Sequence, residues 1–318
     1  MMRLKHAVAA AMLGFLLGAC TAQLNPRGAA VQAPEMRADA FVVEDGAVLP
    51  YRHWQPEDAA QTRAVIVALH GFNDHSRAWE MPAQAWAARG IALYAYDQRG
   101  FGRAPQPGIW AGSDALVADL ASVHALVAAR HAGVPVFVAG ESMGGAVAMA
   151  AVARGAIPGA PGTVLVAPAV RSRASLSWFE RAGLALLYRT VPGLAPRVEV
   201  QGIVPSDNVP MMRELARDPL FLKRTRVDTL KGLVDLMDEA SALAPKLDTP
   251  LLILVGARDT LVPGDPMAQM LASLPPAPPA DRQAIEYARG YHMLLRDQDR
   301  ARVHDDVAAW ILARVPPR

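Results

Sequence analysis

Cysteine is nearly missing from this chain of 318 residues: Cys20 stands alone, so no internal disulfide can form. Charge of one sign is missing too. The 32 Lys and Arg are offset by 30 Asp and Glu, leaving a formal charge of +2 with no long block of either sign, which gives no footing for a nucleic-acid partner. The amino-terminal apolar stretch AVAAAMLGFLLGA spans only residues 7–19, short of the roughly 20 residues a helix needs to cross a bilayer. Repeats and low-complexity tracts are absent apart from PPAPPA (275–280), which reads as a rigid loop. Metal-ligand spacing is lacking as well. No H-x-x-x-H pair or nearby Cys accompanies His70, and His75 follows five residues on in a loop, so neither a metal nor a cofactor is expected.

What is present is enough apolar material, 52% of the chain, to bury one large globular core with an insertion. Arg3 and Lys5 precede the short apolar run, the order of a signal peptide, assigned to residues 1–19. Leu17-Gly18-Ala19-Cys20 resembles the lipobox of bacterial lipoproteins, in which the cysteine is lipidated and becomes the first mature residue. That resemblance implies membrane attachment through Cys20, at the outer membrane or on the periplasmic face. The alternative is a plain secretory signal cleaved near Ala22, giving a secreted or periplasmic protein. Both readings export the chain. Residues 20–39, rich in Ala, Pro and polar side chains, then read as the lipidated Cys and a tether.

Beyond residue 40 strand and helix signals alternate. AVIVALHG (64–71), IALYAYD (91–97), VPVFVAG (134–140), GTVLVAP (162–168) and PLLILVG (250–256) are short, continuously apolar runs, the pattern of strands covered by helices on both faces. Helical stretches lie between them, including 76–90 and 113–133, the second with Ser113 as its expected N-cap and Gly133 near its end. FVVEDGAVLPYRHWQP (41–56) reads as a hairpin turning at Asp45-Gly46. The alternation predicts an α/β fold with a mostly parallel central sheet flanked by helices. It breaks over 171–248, where helical segments follow one another without an apolar strand, so this span is expected to be a helical cap inserted between core segments 40–170 and 249–318.

Gly140-Glu141-Ser142-Met143-Gly144 fits G-x-S-x-G, the nucleophile elbow, and lies between a strand and the helical GGAVAMAAVARG (144–155), the context the motif requires. Side chains at 140 and 144 would collide with backbone across so tight a turn. A serine hydroxyl also needs an adjacent base. In the order serine, acid, histidine, Asp259 follows the strand PLLILVG, and His292 follows a strand-like run and a glycine turn. All three fall at carboxyl ends of strands, where open α/β sheets place their sites. Asp265 competes with Asp259, but between Pro263-Gly264 and Pro266 it has the setting of a helix N-cap. The backbone N–H of Met143, and that of Phe72 in the loop His70–Ser76, are the expected donors to the tetrahedral oxyanion.

HGFNDHS (70–76), DQRGFGRA (97–104), GESMGG (140–145), GARDTLVP (256–263) and GYHMLL (290–295) together resemble the monoacylglycerol lipase and lysophospholipase group of α/β-hydrolases, also called the serine aminopeptidase S33 domain. The resemblance spans roughly residues 40–318 apart from the insertion. It implies a triad of Ser142, Asp259 and His292, an oxyanion hole at Phe72 and Met143, and a lid at 171–248 over an acyl-binding tunnel. An Asp97–Arg99 pair resembles a structural loop of the family. The chain departs from the family where Phe72 replaces a small residue, Glu141 replaces His and Ala104 replaces Ser. The implied activity is hydrolysis of a small acyl ester or lipid through an acyl-enzyme. Two rivals stand beside it. An aminopeptidase would use Glu141 or Glu214 as an acidic anchor for a free amine, and a non-catalytic surface lipoprotein would bind ligands on the same fold.

Overall fold

The computed structural model describes residues 21–197, 202–278 and 281–316; the proposed leader and Cys20 lie outside the described residues. Among the described residues nine strands form one sheet: β1 (Glu35–Met36), β2 (Ala40–Val42), β3 (Val48–Trp54), β4 (Ala64–Leu69), β5 (Ile91–Tyr96), β6 (Val136–Glu141), β7 (Thr163–Val166), β8 (Leu251–Gly256) and β9 (Arg282–Tyr287), in the order β1-β2-β3-β5-β4-β6-β7-β8-β9. The first three strands run antiparallel to their neighbours, and β4 to β9 are parallel. The β2–β3 pair is the hairpin expected at Asp45-Gly46, with Gly46 at φ 81. Because β5 lies on one side of β4 and β6 on the other, the chain reverses direction across the sheet at β4, the kind of switch point at whose carboxyl side open α/β sheets place their sites.

The continuous apolar runs are needed because the pleat sends alternate residues into two separate cores. On β4, Val65, Val67 and Leu69 join one core, and Ala64, Ile66 and Ala68 the other. The second face is covered by α1 (Glu80–Ala87), through Ala83 and Trp86, and by the carboxyl-terminal helix Arg300–Leu312, through Val303, Val307 and Trp310. The first face carries α2 (Ser113–Arg130) and α3 (Met143–Ala153). Small residues and fully apolar composition let α3 sit with Met143 through Val152 all buried. The cap region holds α4 (Trp178–Thr190) and α5 (Val209–Arg217). It is followed by α6 (Val227–Leu243), and α7 (Gly264–Ser273) and α8 (Arg300–Leu312) complete the chain.

Three local expectations need correction. Helix α6 falls within the span 171–248 read as cap, yet it packs directly on α3, and Val234, Leu236, Met237 and Ala240 belong to the main core. The part of that span standing away from the sheet therefore ends near Arg226. The segment read as a tether does not hang free from residue 21 onward. The Gln23 N–H donates to Asp228 Oδ2 at 3.0 Å, the Asn25 N–H to the Trp110 carbonyl at 2.8 Å, Arg27 pairs with Glu44, and β1 extends the sheet. Its polar backbone is satisfied by docking, which composition does not reveal. At α2, Gly112 with φ 89 occupies the N-cap position and Ser113 is already helical, so Ser113 does not cap.

Candidate active site

The elbow has the geometry its glycines dictate. A methyl on Gly140 would lie 2.3 Å from the Gly144 carbonyl oxygen, and one on Gly144 would lie 2.3 Å from the Leu69 carbonyl oxygen, so neither position accepts a side chain. Between them Ser142 is held at φ 53, ψ −115, a strained conformation for a residue with a Cβ, by its N–H to the Val166 carbonyl at 2.9 Å. The next residue, Met143, opens α3, whose first-turn N–H groups have no acceptor within the helix.

The loop after β4 lies against this turn. A methyl on Gly71 would touch Ser142 Cβ at 3.4 Å, which places Phe72, the next residue, beside the elbow. His70 anchors the loop from below. It is fully buried, its Nδ1 bonds the Gly71 carbonyl at 2.8 Å, and its Nε2 accepts the Gln98 N–H at 3.0 Å. Burial pushes the His70 imidazole below the ordinary histidine range, in keeping with a neutral ring that accepts at Nε2. From above, the Leu222 N–H donates to the Asn73 carbonyl at 2.9 Å and Asn73 Nδ2 to Thr225 Oγ1 at 2.8 Å, so the end of the cap rests on the same loop.

Asp259 and His292 are brought together. Nδ1 of His292 stands 2.7 Å from Asp259 Oδ2, and the side chains are 7% and 3% exposed. The other carboxylate oxygen accepts the N–H groups of Leu261 and Val262 at 2.8 and 3.0 Å, which fixes the orientation of the carboxylate. With Nδ1–H donating to the carboxylate, the lone pair is left on Nε2, the tautomer a general base needs. No hydrogen bond joins His292 to the Ser142 hydroxyl in this structure; nucleophile and base contacts are often long before substrate binds. A glycine that the sequence reading passed over makes the Asp259–His292 approach possible. A methyl on Gly256 would lie 2.4 Å from the Tyr291 carbonyl oxygen and 2.6 Å from that of Gly290. Across the same contact the Arg258 N–H donates to the Gly290 carbonyl at 2.9 Å. Asp265, the competing acid, lies in the first turn of α7, with no side-chain cap bond at the helix start. It neither pairs with His292 nor acts as the expected N-cap.

One further residue, Arg296, escaped the sequence reading. Arg296 donates from Nη1 to Asp74 Oδ2 at 2.8 Å and from Nη2 to Glu141 Oε2 at 3.0 Å, all three side chains being buried. Burial pushes the Glu141 carboxyl above its ordinary range against the pull of Arg296. The pairing also takes Glu141 away from the amine-anchoring role considered for it. Its signal in sequence was faint: a carboxylate at the end of a fully buried strand has to find a cation. Asp97 and Arg99, read as part of a structural loop, bond separate partners. Arg99 pairs with Asp45 and Asp119, and Asp97 accepts the N–H groups of Ser76 and Arg103.

Comparison with known proteins bears on the whole arrangement. A family model described as Serine aminopeptidase, S33, matches residues 60–299. A monoacylglycerol lipase of Mycolicibacterium smegmatis is 27% identical over 87% of this chain and 97% of its own length, and a monoglyceride lipase of Homo sapiens is 26% identical over 91% and 95%. Among solved structures, a soluble variant of monoglyceride lipase from Saccharomyces cerevisiae, in complex with a substrate analog, covers 90% of this chain and 97% of its own at 18% identity and a TM-score of 0.73. The monoacylglycerol lipase of Paleococcus ferrophilus covers 84% and 99% at 21% identity and a TM-score of 0.70. These likenesses show the α/β-hydrolase fold, and the family model spans well over half of the chain: the protein belongs to the serine aminopeptidase S33 family of α/β-hydrolases.

Proposed function

We propose that this ester-hydrolysing enzyme cleaves monoacylglycerols or lysophospholipids through an acyl-enzyme on Ser142. The observation that carries the mechanism is the Asp259–His292 pair at 2.7 Å on the same rim of the sheet as the strained elbow. In this reading the Ser142 hydroxyl attacks the acyl carbon as His292 Nε2 takes its proton. The N–H groups of Met143 and Phe72 hold the tetrahedral oxyanion, and His292 returns the proton to the departing alcohol. Water then repeats the sequence to release the fatty acid. Asp259 fixes the imidazole and offsets its charge while it is protonated.

The names of the relatives support the lipid substrate, and so does the cap. Trp178 and Phe179, packed edge-to-face on one another at 5.0 Å, are 65% and 79% exposed, and no residue of α4 is buried. Aromatic and Leu side chains left outward in this way are not packing the cap onto the core; they offer an apolar surface to an acyl chain. The aminopeptidase alternative has lost one anchor, since Glu141 is taken by Arg296. The other, Glu214, has a side chain 67% exposed and only a 3.9 Å contact to Arg77.

Purified enzyme offered acyl glycerols of graded chain length beside aminoacyl amides is expected to turn over the esters faster by at least about 10²-fold in kcat/KM. Faster amide turnover overturns the substrate assignment. We further propose that the exported protein is anchored through Cys20, on the strength of the amino-terminal pattern alone. Mass spectrometry of the mature amino terminus should find a diacylated Cys20, and an unmodified start at a later residue removes the anchor.

A further inference from the structure

The acyl-transfer chemistry leaves a buried ionic cluster without a role. Arg296 is 5% exposed, and Asp74 and Glu141 are each 2% exposed. Their backbones come from the end of β6 and from two of the loops that meet at the site. Glu141 precedes the nucleophile, Asp74 lies two residues after Phe72 in the oxyanion loop, and Arg296 lies four residues after His292. Stability alone is a weak reason to keep such a cluster, because a buried ion pair replaced by packed apolar side chains is often neutral or better. What a guanidinium adds is geometry. Its planar fork satisfies two carboxylates at once only when both approach from fixed directions.

The fork is held at its base as well as at its tips. The Arg296 carbonyl accepts from Asn208 Nδ2 at 2.7 Å, and its N–H donates to the Met293 carbonyl at 2.8 Å. Next to it, Asp297 accepts the Tyr291 N–H at 2.8 Å and the Ser206 hydroxyl at 2.5 Å. The histidine loop is thus stiff behind the guanidinium, and the oxyanion loop and elbow are tied in front of it. Burial opposes the charge on Arg296, but Glu141 and Asp74 outweigh it and hold the guanidinium ionised.

We propose that Arg296 is a positioning residue for the hydrolysis, fixing the nucleophile elbow and the oxyanion loop against the histidine loop through its two-armed contact with Glu141 and Asp74. This rests on Ser142 and His292 acting as nucleophile and base. Lysine at 296 keeps the charge but loses the fork, and methionine at 141 frees the elbow from one arm while leaving Asp74 and Arg296 as a neutral pair.

The test compares wild type, Arg296→Lys, Glu141→Met, the double variant and Ser142→Ala. The measurements are kcat and KM on p-nitrophenyl butyrate, the rate of labelling by a fluorophosphonate, and Tm. Since loss of registration by about 1 Å can cost up to about 10²-fold, each single variant is expected to lose about tenfold to a hundredfold in kcat, with KM within about twofold and labelling slowed in parallel. The double variant should fall no further than Arg296→Lys alone, within about threefold, because both changes break one contact. Wild-type kcat in folded Arg296→Lys, or losses that multiply in the double variant, overturns the inference. Should Arg296→Lys fail to accumulate, Glu141→Met decides: kcat lowered at constant KM upholds the positioning role, and wild-type kcat removes it. Labelling that persists in Ser142→Ala sinks the nucleophile assignment and this inference with it. A silent Ser142→Ala beside an Arg296→Lys that labels at the wild-type rate sinks the inference alone.

Discussion

Replacing Ser142 by alanine is expected to lower kcat toward esters by about 10⁶-fold and to abolish fluorophosphonate labelling, while KM and the folded state stay close to those of the parent. The size of the loss follows from what the hydroxyl does. In the proposed mechanism His292 then has no nucleophile to activate, and what survives is the binding and oxyanion stabilisation that the N–H groups of Met143 and Phe72 would give to attack by water. The fold should tolerate the change because Ser142 is tied to the structure through its backbone, by the N–H to Val166 and by its carbonyl to the N–H groups of Ala146 and Ala169, not through its side chain. Labelling of the alanine variant at the parent rate would place the nucleophile elsewhere.

The strands and the glycine-serine turn after β6 were legible because both are written in local pattern. A short, continuous apolar run reads as a strand wherever helices cover both faces; β4, β5, β7 and β8 lie within such runs, and β6 outruns its own by one residue, Glu141. G-x-S-x-G is equally local, since its glycines are demanded by carbonyl oxygens of the same turn and of the adjacent strand, β4. The boundaries were harder. Helix α6 has the amphipathic pattern of a cap helix, and periodicity does not say whether an apolar face covers a cap or a sheet. Only the contact with α3 decides that Val234, Leu236 and Met237 belong to the core. The docking of residues 21–36 escaped for a related reason, because it rests on single polar anchors such as Asn25 and not on an apolar stripe.

Arg296 was invisible for a different physical reason. An arginine in the run MLLRD reads as a surface charge, since arginines are rarely buried unless paired. Its partners lie 222 and 155 residues away along the chain. Glu141, read as a departure from the family pattern and as a candidate amine anchor, held the one clue. A Glu in place of the usual His at the end of a buried strand carries a charge that some distant residue must meet. The exchange has a chemical consequence that the family pattern hides: with Glu at 141 the elbow is tied to the histidine loop by an ion pair.

Replacing Asp259 by asparagine should be the next most damaging change after loss of the nucleophile, lowering kcat by about 10⁴-fold with little change in Tm, and the structure supplies the reason. Asp259 Oδ1 already accepts two backbone N–H groups, from Leu261 and Val262. An asparagine in this place keeps its single carbonyl oxygen on those two donors, because turning the amide nitrogen toward them would set donor against donor. The NH₂ group then faces His292 Nδ1, 2.7 Å from the Oδ2 position it replaces. A donor there forces Nδ1 to become the acceptor and moves the ring proton to Nε2. An imidazole carrying its proton at Nε2 cannot take one from the Ser142 hydroxyl, so packing is preserved while the base is disabled. Asp259→Ala leaves space in place of the amide and does not impose the wrong tautomer, so its loss should be the smaller of the two. Measuring kcat/KM for both variants on the same soluble ester checks the order. An asparagine variant within about tenfold of the parent, or an alanine variant clearly worse than the asparagine one, is incompatible with Asp259 acting by fixing the tautomer of His292.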